Sequence, residues 1–244
     1  MPRVCVLGPS GKMGRAVLDA AASRADIEVV SRVDLGDDAS AGLAAADVYI
    51  DFTTPAGTRA AATAALASRT AAVIGTTGLD AAALASISSL AEVAPVLVAA
   101  NFSLGVNLLL GLVETAARAL GPDWDAEVVE THHKAKRDAP SGTALAIARS
   151  IAAGHGVDYE SVKRHARDGE IGPRPRGEIG VSTVRGGDVV GEHTAYFFGA
   201  AERLELSHRA TSRSIFAVGA LRAASWLAGR APGRYTMAHV LGLI

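Results

Sequence analysis

Short apolar segments alternate with segments of helical spacing along the first hundred residues. Five segments rich in β-branched or small apolar residues predict buried strands, at residues 3–7, 27–33, 48–52, 72–74 and 96–99. Three segments between them predict helices, at residues 13–24, 58–68 and 81–90. The alternation is typical of an α/β domain whose parallel sheet is covered by helices on both faces.

The pattern changes from about residue 104. A long helix is predicted to end at Gly121 and Pro122, and it is followed by a strand and a second helix, at residues 104–120, 126–131 and 142–153. Three later segments predict antiparallel strands, at residues 179–184, 189–198 and 204–209. Residues 185–188 (Arg-Gly-Gly-Asp) are predicted to form the turn between the first two of these strands. Residues 169–177 hold two prolines and three glycines, which predicts a flexible loop.

The last segment of helical spacing covers residues 214–228, and we expect it to pack back on the first domain. The predicted organisation is therefore a discontinuous dinucleotide-binding domain, residues 1–103 with 215–244, and a substrate-binding and oligomerisation domain, residues 104–214. The second domain is predicted to be α+β, with an open and mainly antiparallel sheet.

Composition narrows the class of protein. The chain has 244 residues, 49% of them hydrophobic, which is enough for a well-buried core. Its formal net charge of -1 gives no overall electrostatic attraction to nucleic acid or to an anionic membrane. The single cysteine, Cys5, cannot form an internal disulfide, so a reducing compartment fits. No stretch reaches the roughly 18 uncharged apolar residues of a membrane span, and the first apolar run is too short for a signal peptide. We expect a cytoplasmic protein.

A glycine-rich loop follows the first predicted strand and opens the first helix. Its spacing, G-x-x-G-x-x-G, is a variant of the dinucleotide fingerprint, and its candidate cofactor-binding residues are Gly8, Ser10, Gly11, Lys12, Met13 and Gly14. Small residues let the backbone approach a pyrophosphate, and the helix amino terminus supplies amide donors and partial positive charge. The alternative is an ordinary glycine turn without a ligand.

Asp34 ends the second predicted strand, 20 residues after Gly14. An acidic residue there accepts hydrogen bonds from both ribose hydroxyls of NADH and repels the 2′-phosphate of NADPH. Lys12 and Arg32 would favour a phosphate instead, so the sequence favours NADH and leaves NADPH open. A solvated acid at a strand end is the alternative for Asp34.

Two more loops follow later strands of the predicted parallel sheet. Because ligands of such sheets lie beyond the carboxyl ends of the strands, both loops are candidates for lining the nicotinamide site. The residues concerned are Gly75, Thr76, Thr77, Ala99, Ala100, Asn101 and Phe102. Plain connecting turns are the alternative.

The basic segment, which we define as residues 130–143, carries two histidines, two lysines and an arginine within six residues. Such a concentration of positive charge would attract a small polyanion. Ser141, Gly142 and Thr143 open the next helix, and amides and hydroxyls at a helix start form a carboxylate site.

Side chains of the basic segment would donate a proton to the substrate after hydride transfer. Lys136 is the candidate proton donor, because neighbouring cations destabilise its ammonium form. His132 would orient the substrate or share acid work, and His133 would contact a carboxylate. Adjacent histidines on an extended segment point opposite ways and no third ligand is suitably spaced, so we predict no metal site. A solvated basic loop is the remaining alternative.

Residues 130–144, E-T-H-H-K-A-K-R-D-A-P-S-G-T-A, resemble the signature of the dihydrodipicolinate reductase family, also called 4-hydroxy-tetrahydrodipicolinate reductases. The resemblance extends over nearly the whole chain and includes residues 8–14, 75–78, 99–102, 191–194, 207–210, Arg213 and Phe216. It is weakest over residues 32–47 and 154–178. Two departures are Pro9 inside the glycine loop and Leu35, where some members carry an arginine suited to a 2′-phosphate.

The resemblance implies a Rossmann-like domain closed by the tail, an inserted substrate domain, and use of NADH or NADPH. It implies reduction of 4-hydroxy-tetrahydrodipicolinate to tetrahydrodipicolinate, with loss of water, in lysine and diaminopimelate biosynthesis. By this likeness His132 and Lys136 donate the proton, while His133, Gly142 and Thr143 hold substrate carboxylates. It also implies a homotetramer formed through the sheets of the substrate domains, with residues 179–198 at the interface.

Two alternatives stay open at this point. One is a related reductase of another small dicarboxylate. The other is a non-catalytic dinucleotide sensor, which should have lost its acid groups, whereas His132 and Lys136 are both present.

Overall fold

The computed structural model describes residues 1–244 and divides the chain into two compact units. The first unit comprises Met1–Leu104 and Ser214–Ile244, and the second comprises Gly105–Arg213. Each unit has its own sheet and its own buried core.

The first unit is built on a six-stranded sheet in which every pair of neighbours is parallel. Its strands are β1 (Arg3–Leu7), β2 (Glu28–Val33), β3 (Val48–Asp51), β4 (Ala71–Ile74), β5 (Pro95–Val98) and β11 (Gly233–Tyr235). Their order is β11-β5-β4-β3-β1-β2. β2 pairs with one side of β1, and β3 then pairs with the other side, so the strand order reverses at β1. In parallel sheets a ligand crevice lies at the carboxyl ends of the strands where the order reverses, here β1 and β3.

Helices cover both faces of this sheet, as the alternating pattern predicts. They are α1 (Lys12–Ala22), α2 (Ala39–Ala44), α3 (Pro55–Ser68), α4 (Ala81–Val93), α8 (Ser214–Leu227) and α9 (Met237–Leu241). Val17 and Leu221 belong to the core on one face, whereas Ala62 and Ile87 belong to the core on the other. The cores are rich in alanine, which lets helices and sheet approach closely.

The tail adds more to this unit than the sequence predicts. Helix α8 packs on the sheet as expected, and β11 then pairs in parallel with β5 as a sixth strand. A strand of three residues is too short to show the alternation of apolar and polar positions, so β11 could not be predicted from the sequence.

The second unit has a five-stranded sheet with the order β10-β9-β6-β8-β7. Its strands are β6 (Asp125–His132), β7 (Lys163–Arg164), β8 (Ile179–Arg185), β9 (Gly191–Phe198) and β10 (Arg203–Ala210). Its helices are α5 (Leu104–Leu120), α6 (Gly142–His155) and α7 (Tyr159–Val162). Val113, Ile147 and Ile151 pack against one face of the sheet and form the core with Val128 and Phe197.

The predicted hairpin between β8 and β9 is wrong. The two strands run in opposite directions but do not pair, because β6 lies between them, parallel to β8 and antiparallel to β9. The sheet is therefore mixed rather than mainly antiparallel. Alternation of buried and exposed residues specifies which face of a strand is buried, but it does not specify the neighbouring strand.

The loop predicted over residues 169–177 contains no helix or strand, but arginines anchor it to the sheet. Arg174, within the loop, donates to Asp125 and Glu127, and Arg167, two residues before it, donates to Glu127 and Glu178. The prediction of flexibility from glycine and proline content did not include these ion pairs. Those to Asp125 and Glu127 join residues 40 to 49 positions apart in the chain.

None of the helices combines the length and the apolar character that a membrane crossing needs.

Candidate functional site

The glycine loop has the conformation that its sequence predicts. Gly8 has a φ of +66°, a left-handed conformation that glycine adopts without strain. A Cβ atom on Gly14 would lie 2.1 Å from the carbonyl oxygen of Gly8, so only glycine lets α1 start this close to β1. Both glycines are therefore required by the turn itself.

The start of α1 is available to an anion. Gly11 is its N-cap and has no side chain to cap the first amides, and the first turn carries no acidic residue. Helix amides without intrahelical partners, together with the helix dipole, attract negative charge. Lys12 is exposed in this first turn and adds a full positive charge.

Asp34 lies beside this loop, as expected from its position at the end of β2. Its carboxylate accepts a hydrogen bond from the amide of Ser10 at 3.2 Å and from that of Leu35 at 3.0 Å. Hydrogen bonding to Ser10 and to Leu35 lowers the pKa of Asp34, so the group is ionised at neutral pH.

Asp51, which the sequence analysis passed over, joins the loops after β3 and β4. Its fully buried carboxylate accepts from Thr53 Oγ1 at 2.6 Å, from Thr58 Oγ1 at 2.6 Å and from Thr76 Oγ1 at 3.3 Å. Thr53 in turn contacts the glycine loop, since a Cβ atom on Gly8 would lie 2.9 Å from Thr53 Cγ2. One carboxylate thus organises three strand-end loops.

The remaining predicted cofactor residues lie on the loops after β4 and β5. Gly75 packs under the ring of Phe52, where a Cβ atom would lie 2.1 Å from the ring. Phe102 meets the same ring edge-on at 5.4 Å between centroids, and its side chain is buried in the core. Thr77 and Ala100 are exposed.

These residues fit a dinucleotide. The glycine loop excludes any Cβ at Gly14, the start of α1 holds uncapped amides, and an ionised Asp34 lies next to them. The predicted loops follow β1, β2, β4 and β5 of one parallel sheet, so all of them lie at the carboxyl end of that sheet.

The basic segment of the second unit begins at the end of β6. His132 is buried, and its Nδ1 lies 2.5 Å from a carboxylate oxygen of Glu130. Arg185 at the end of β8 is the register partner of His132 and donates to both carboxylate oxygens of Glu130, at 2.8 Å each. Parallel pairing of β6 with β8 therefore brings these three side chains together.

Burial and charge act in opposite directions on this group. Burial alone would raise the pKa of Glu130, but hydrogen bonds from Arg185 and His132 lower it to about 2. Burial also lowers the pKa of His132, and it outweighs the opposite effect of the Glu130 carboxylate. Glu130 is thus ionised, and His132 favours its neutral form.

A third histidine comes from β9. His193 is the register partner of Glu130, and its ring meets that of His132 edge-on at 5.1 Å between centroids. Its Nε2 lies 3.1 Å from Ser141 Oγ, the N-cap of α6. Burial and the neighbouring His132 lower the pKa of His193 to about 4, so it is neutral above that pH.

The start of α6 has no side chain packed over it at Gly142. Ser141 Oγ accepts from the amide of Ala144, and the first turn carries no acidic side chain. Gly142 is exposed, and no atom lies within 4 Å of the position that its Cβ would take. Thr143 follows in the same turn. A carboxylate would find backbone amides and the positive end of the helix dipole here.

Lys136 and His133 have partners that the sequence did not indicate. Lys136 Nζ lies 2.9 Å from the Asp138 carboxylate, so an acidic side chain stands beside the predicted proton donor. Arg213 Nη2 lies 3.3 Å from His133 Nε2 and brings a further cation to the basic segment. No group of three or more His, Cys, Asp or Glu side chains is arranged to hold a metal ion.

Four important residues were missed as site candidates: Asp51, Glu130, Arg185 and His193. Glu130 stands inside the basic segment, two residues before His132, so a period of two already placed both side chains on one face of the strand. Arg185 was assigned to a hairpin turn, and His193 to an ordinary strand. Only the strand order reveals their contact with Glu130 and Ser141.

Comparison with known proteins agrees with this geometry. The model of "Dihydrodipicolinate reductase, N-terminus" matches residues 2–102, and that of "Dihydrodipicolinate reductase, C-terminus" matches residues 105–241. The 4-hydroxy-tetrahydrodipicolinate reductase of Alkalilimnicola ehrlichii is 46% identical over 264 residues, covering 99% of each chain. That of Methylocella silvestris is also 46% identical and covers 99% of this chain and 97% of its own.

A solved structure shares the fold over nearly the whole chain. The dipicolinate-bound dihydrodipicolinate reductase from Paenisporosarcina sp. TG-14 superimposes with a TM-score of 0.80 at 26% identity, covering 97% of each chain. Matches of this extent span both units, the glycine loop and the basic segment. On this evidence the chain belongs to the dihydrodipicolinate reductase family.

Proposed function

We propose that this protein reduces 4-hydroxy-tetrahydrodipicolinate to tetrahydrodipicolinate with NADH or NADPH, as a cytoplasmic enzyme of lysine and diaminopimelate biosynthesis. One observation carries the proposal: His132, Lys136 and the open start of α6 follow one another at the end of β6. Proton donors and an anion site are thus combined in one short segment. The names of the relatives support the same reaction.

The first unit would hold the dinucleotide through the glycine loop, the start of α1 and Asp34. The loops that contain Gly75, Thr76, Thr77, Ala99, Ala100, Asn101 and Phe102 would line the nicotinamide end. When bound, the reduced nicotinamide supplies the hydride. The residues of the chain orient its pyrophosphate and ribose and carry out no redox step themselves.

The second unit would hold the dicarboxylate. Ser141, Gly142 and Thr143 would bind one carboxylate at the start of α6, and His133 with Arg213 would meet the other. Dipicolinate, the ligand named for the Paenisporosarcina reductase, is a planar dicarboxylate similar in size and charge to the proposed substrate.

His132 and Lys136 would manage the proton. Loss of water from the hydroxylated ring leaves a conjugated imine, and addition of hydride leaves an electron-rich nitrogen–carbon system that must take up one proton. An ammonium at Lys136 or an imidazolium at His132 would deliver it, and bulk water would restore it.

The test is a direct assay of reductase activity. The purified protein is mixed with NADH or NADPH and the condensation product of pyruvate and aspartate semialdehyde, and absorbance of the reduced nicotinamide is followed. We expect substrate-dependent oxidation. Oxidation with another small dicarboxylate only would favour a related reductase, and binding of the dinucleotide without oxidation would favour a sensor.

Asp34 should set the preference between the two dinucleotides. An ionised carboxylate beside Ser10 accepts from ribose hydroxyls and repels a 2′-phosphate, so kcat/KM should be higher with NADH than with NADPH. Asp34→Asn should raise the ratio of kcat/KM for NADPH to that for NADH by roughly tenfold, the effect of about 1.4 kcal/mol. Asp19→Asn, at an exposed acidic residue of α1, is the control and removes the same charge. An unchanged ratio in Asp34→Asn would remove Asp34 from coenzyme selection.

The assembly is proposed to be a homotetramer formed through the face of the second unit's sheet that carries no helix. That face carries exposed Val184 on β8 and, on β9, stacked Tyr196 and Phe198 with 5.6 Å between ring centroids. A sheet face that no helix covers and that exposes aliphatic and aromatic side chains is typical of an interface.

A further inference from the structure

Glu130 is surrounded by hydrogen-bond donors. One carboxylate oxygen accepts from the Ser141 amide at 3.0 Å, from Thr183 Oγ1 at 3.2 Å and from Arg185 Nη2 at 2.8 Å. The other oxygen accepts from Arg185 Nη1 at 2.8 Å and lies 2.5 Å from His132 Nδ1. The side chain is fully buried, so water does not compete for these positions.

This arrangement assigns the tautomer of His132. An ionised carboxylate only accepts hydrogen bonds, so the short contact requires a proton on His132 Nδ1. The other ring nitrogen, Nε2, then has a free lone pair when the ring is neutral, and it carries the transferable proton when the ring is charged. Gly191 leaves space beside it, because a Cβ atom there would lie 2.9 Å from Nε2.

The same carboxylate also holds the start of α6. Its bond to the Ser141 amide fixes the residue whose hydroxyl caps the helix and contacts His193. Arg185 adds a bond to the carbonyl oxygen of Asp138, which stands in the connection between His132 and Ser141. The proton-transfer side chain and the proposed carboxylate site are thus both attached to one buried anion.

We infer that Glu130, clamped by Arg185, is a positioning residue that fixes the Nδ1–H tautomer of His132 and aligns it with the start of helix α6. This inference rests on the proposed reductase function of the same site. Glu130 acts through His132 and Ser141 and is not itself proposed to contact substrate.

The first test compares Glu130→Gln with Glu127→Gln. Glu127 is the matched control, because it lies on the same strand and binds two arginines but contacts neither His132 nor Ser141. A glutamine amide offers one accepting oxygen and two donating hydrogens, so it cannot satisfy the donors around position 130. Light scattering on both variants verifies that they keep the mass of the wild-type assembly.

The direct readout is the ¹⁵N spectrum of labelled histidine. The chain has seven histidines, and the His132 signals are assigned from their loss in His132→Asn. We expect the neutral wild-type ring to carry its proton on Nδ1. Glu130→Gln should change the tautomer or mix the two forms, while Glu127→Gln should leave the spectrum of His132 unchanged.

Kinetics supply the second readout. Glu130→Gln should lower kcat by roughly 10²–10⁴, the weight of a correctly positioned acid, and should raise KM for the dicarboxylate because the start of α6 is released. Arg185→Lys keeps one positive charge but loses the two-pronged contact, so it should show the same changes at smaller size. If Glu130→Gln fails to fold, Arg185→Lys provides the test in its place.

The pH dependence has a definite sign. The charged or titratable groups around His132 are Glu130, Lys136, Arg185 and His193, and among these only Glu130 favours the imidazolium. Removing that negative charge lowers the pKa of His132 further, so its titration in Glu130→Gln should move to lower pH.

A wild-type His132 with its proton on Nε2, or a Glu130→Gln variant with unchanged tautomer and kcat, would overturn the inference. The tautomer is measured without substrate, so this result is separate from the reductase assay. Absence of reductase activity in the wild type would instead refute the proposed function.

Discussion

At the scale of single residues, Lys136 shows how a neighbour changes the expected chemistry. Its Nζ lies 2.9 Å from the Asp138 carboxylate, so its neighbours include an acidic side chain as well as the cations of the basic segment. In the proposed reaction Lys136 would bind a substrate carboxylate as well as donate a proton. Its two proposed effects can be separated by kinetics.

Replacement of Lys136 by alanine should lower kcat by roughly 10²–10⁴ if the ammonium delivers the proton. The measurement is steady-state oxidation of NADH with the dicarboxylate. Lys134→Ala is the control, because Lys134 is exposed, lies two residues earlier in the same segment and has the same charge. A large rise in KM with kcat near the wild-type value would assign Lys136 to binding only and leave proton delivery to His132.

At the scale of elements, one central strand builds the proposed substrate site. β6 places Glu130 and His132 on the same face, and its neighbours β8 and β9 bring Arg185 and His193 to them. In the first unit the loops after β3 and β4 have a comparable centre at Asp51. Both centres are buried carboxylates that accept several hydrogen bonds, which holds loops in one geometry.

Asp51→Asn should weaken dinucleotide binding, because an amide cannot accept from Thr53, Thr58 and Thr76 as the carboxylate does. We expect Kd for NADH to rise by roughly tenfold, equivalent to about 1.4 kcal/mol. The measurement is quenching or enhancement of nicotinamide fluorescence on binding, without substrate.

Asp47→Asn provides the control for this experiment. Asp47 precedes β3, at the opposite end of the strand from Asp51, and its carboxylate pairs with Arg3. Its replacement removes a surface ion pair and should leave Kd for NADH unchanged. Equal Kd values in both variants and the wild type would show that Asp51 does not organise the cofactor loops.

At the scale of the whole molecule, the proposed tetramer would form through the face of the second sheet that carries no helix. Val184→Asp should break the proposed tetramer into smaller species, because it would bury a charge at the interface without a partner. Multi-angle light scattering measures the mass. Leu84→Asp is the control, since Leu84 is a similarly exposed apolar residue on α4 of the first unit. A tetramer that survives Val184→Asp would place the interface elsewhere.

Much of the architecture could be predicted locally. The predicted long helix, 104–120, has the same limits in the structure, and most predicted strands end within two residues of the observed ends. The short β7 and β11 and the pairing of β6 with both β8 and β9 were not predicted. Periodicity is a local property, whereas pairing depends on contacts between residues far apart in the chain.

The sequence alone determined which chemistry is present: a glycine loop that only glycine can form, an acid at the end of β2, and a basic segment that leads into a helix start. Tertiary structure decided how those groups are held. The buried carboxylates of Asp51 and Glu130 accept hydrogen bonds from residues up to 55 positions away in the chain. Arg185 reaches Glu130 because β8 lies next to β6 rather than next to β9. Local patterns specify side chains and their faces, but the environment that orients the proposed proton donor is created by strands that meet only in the fold.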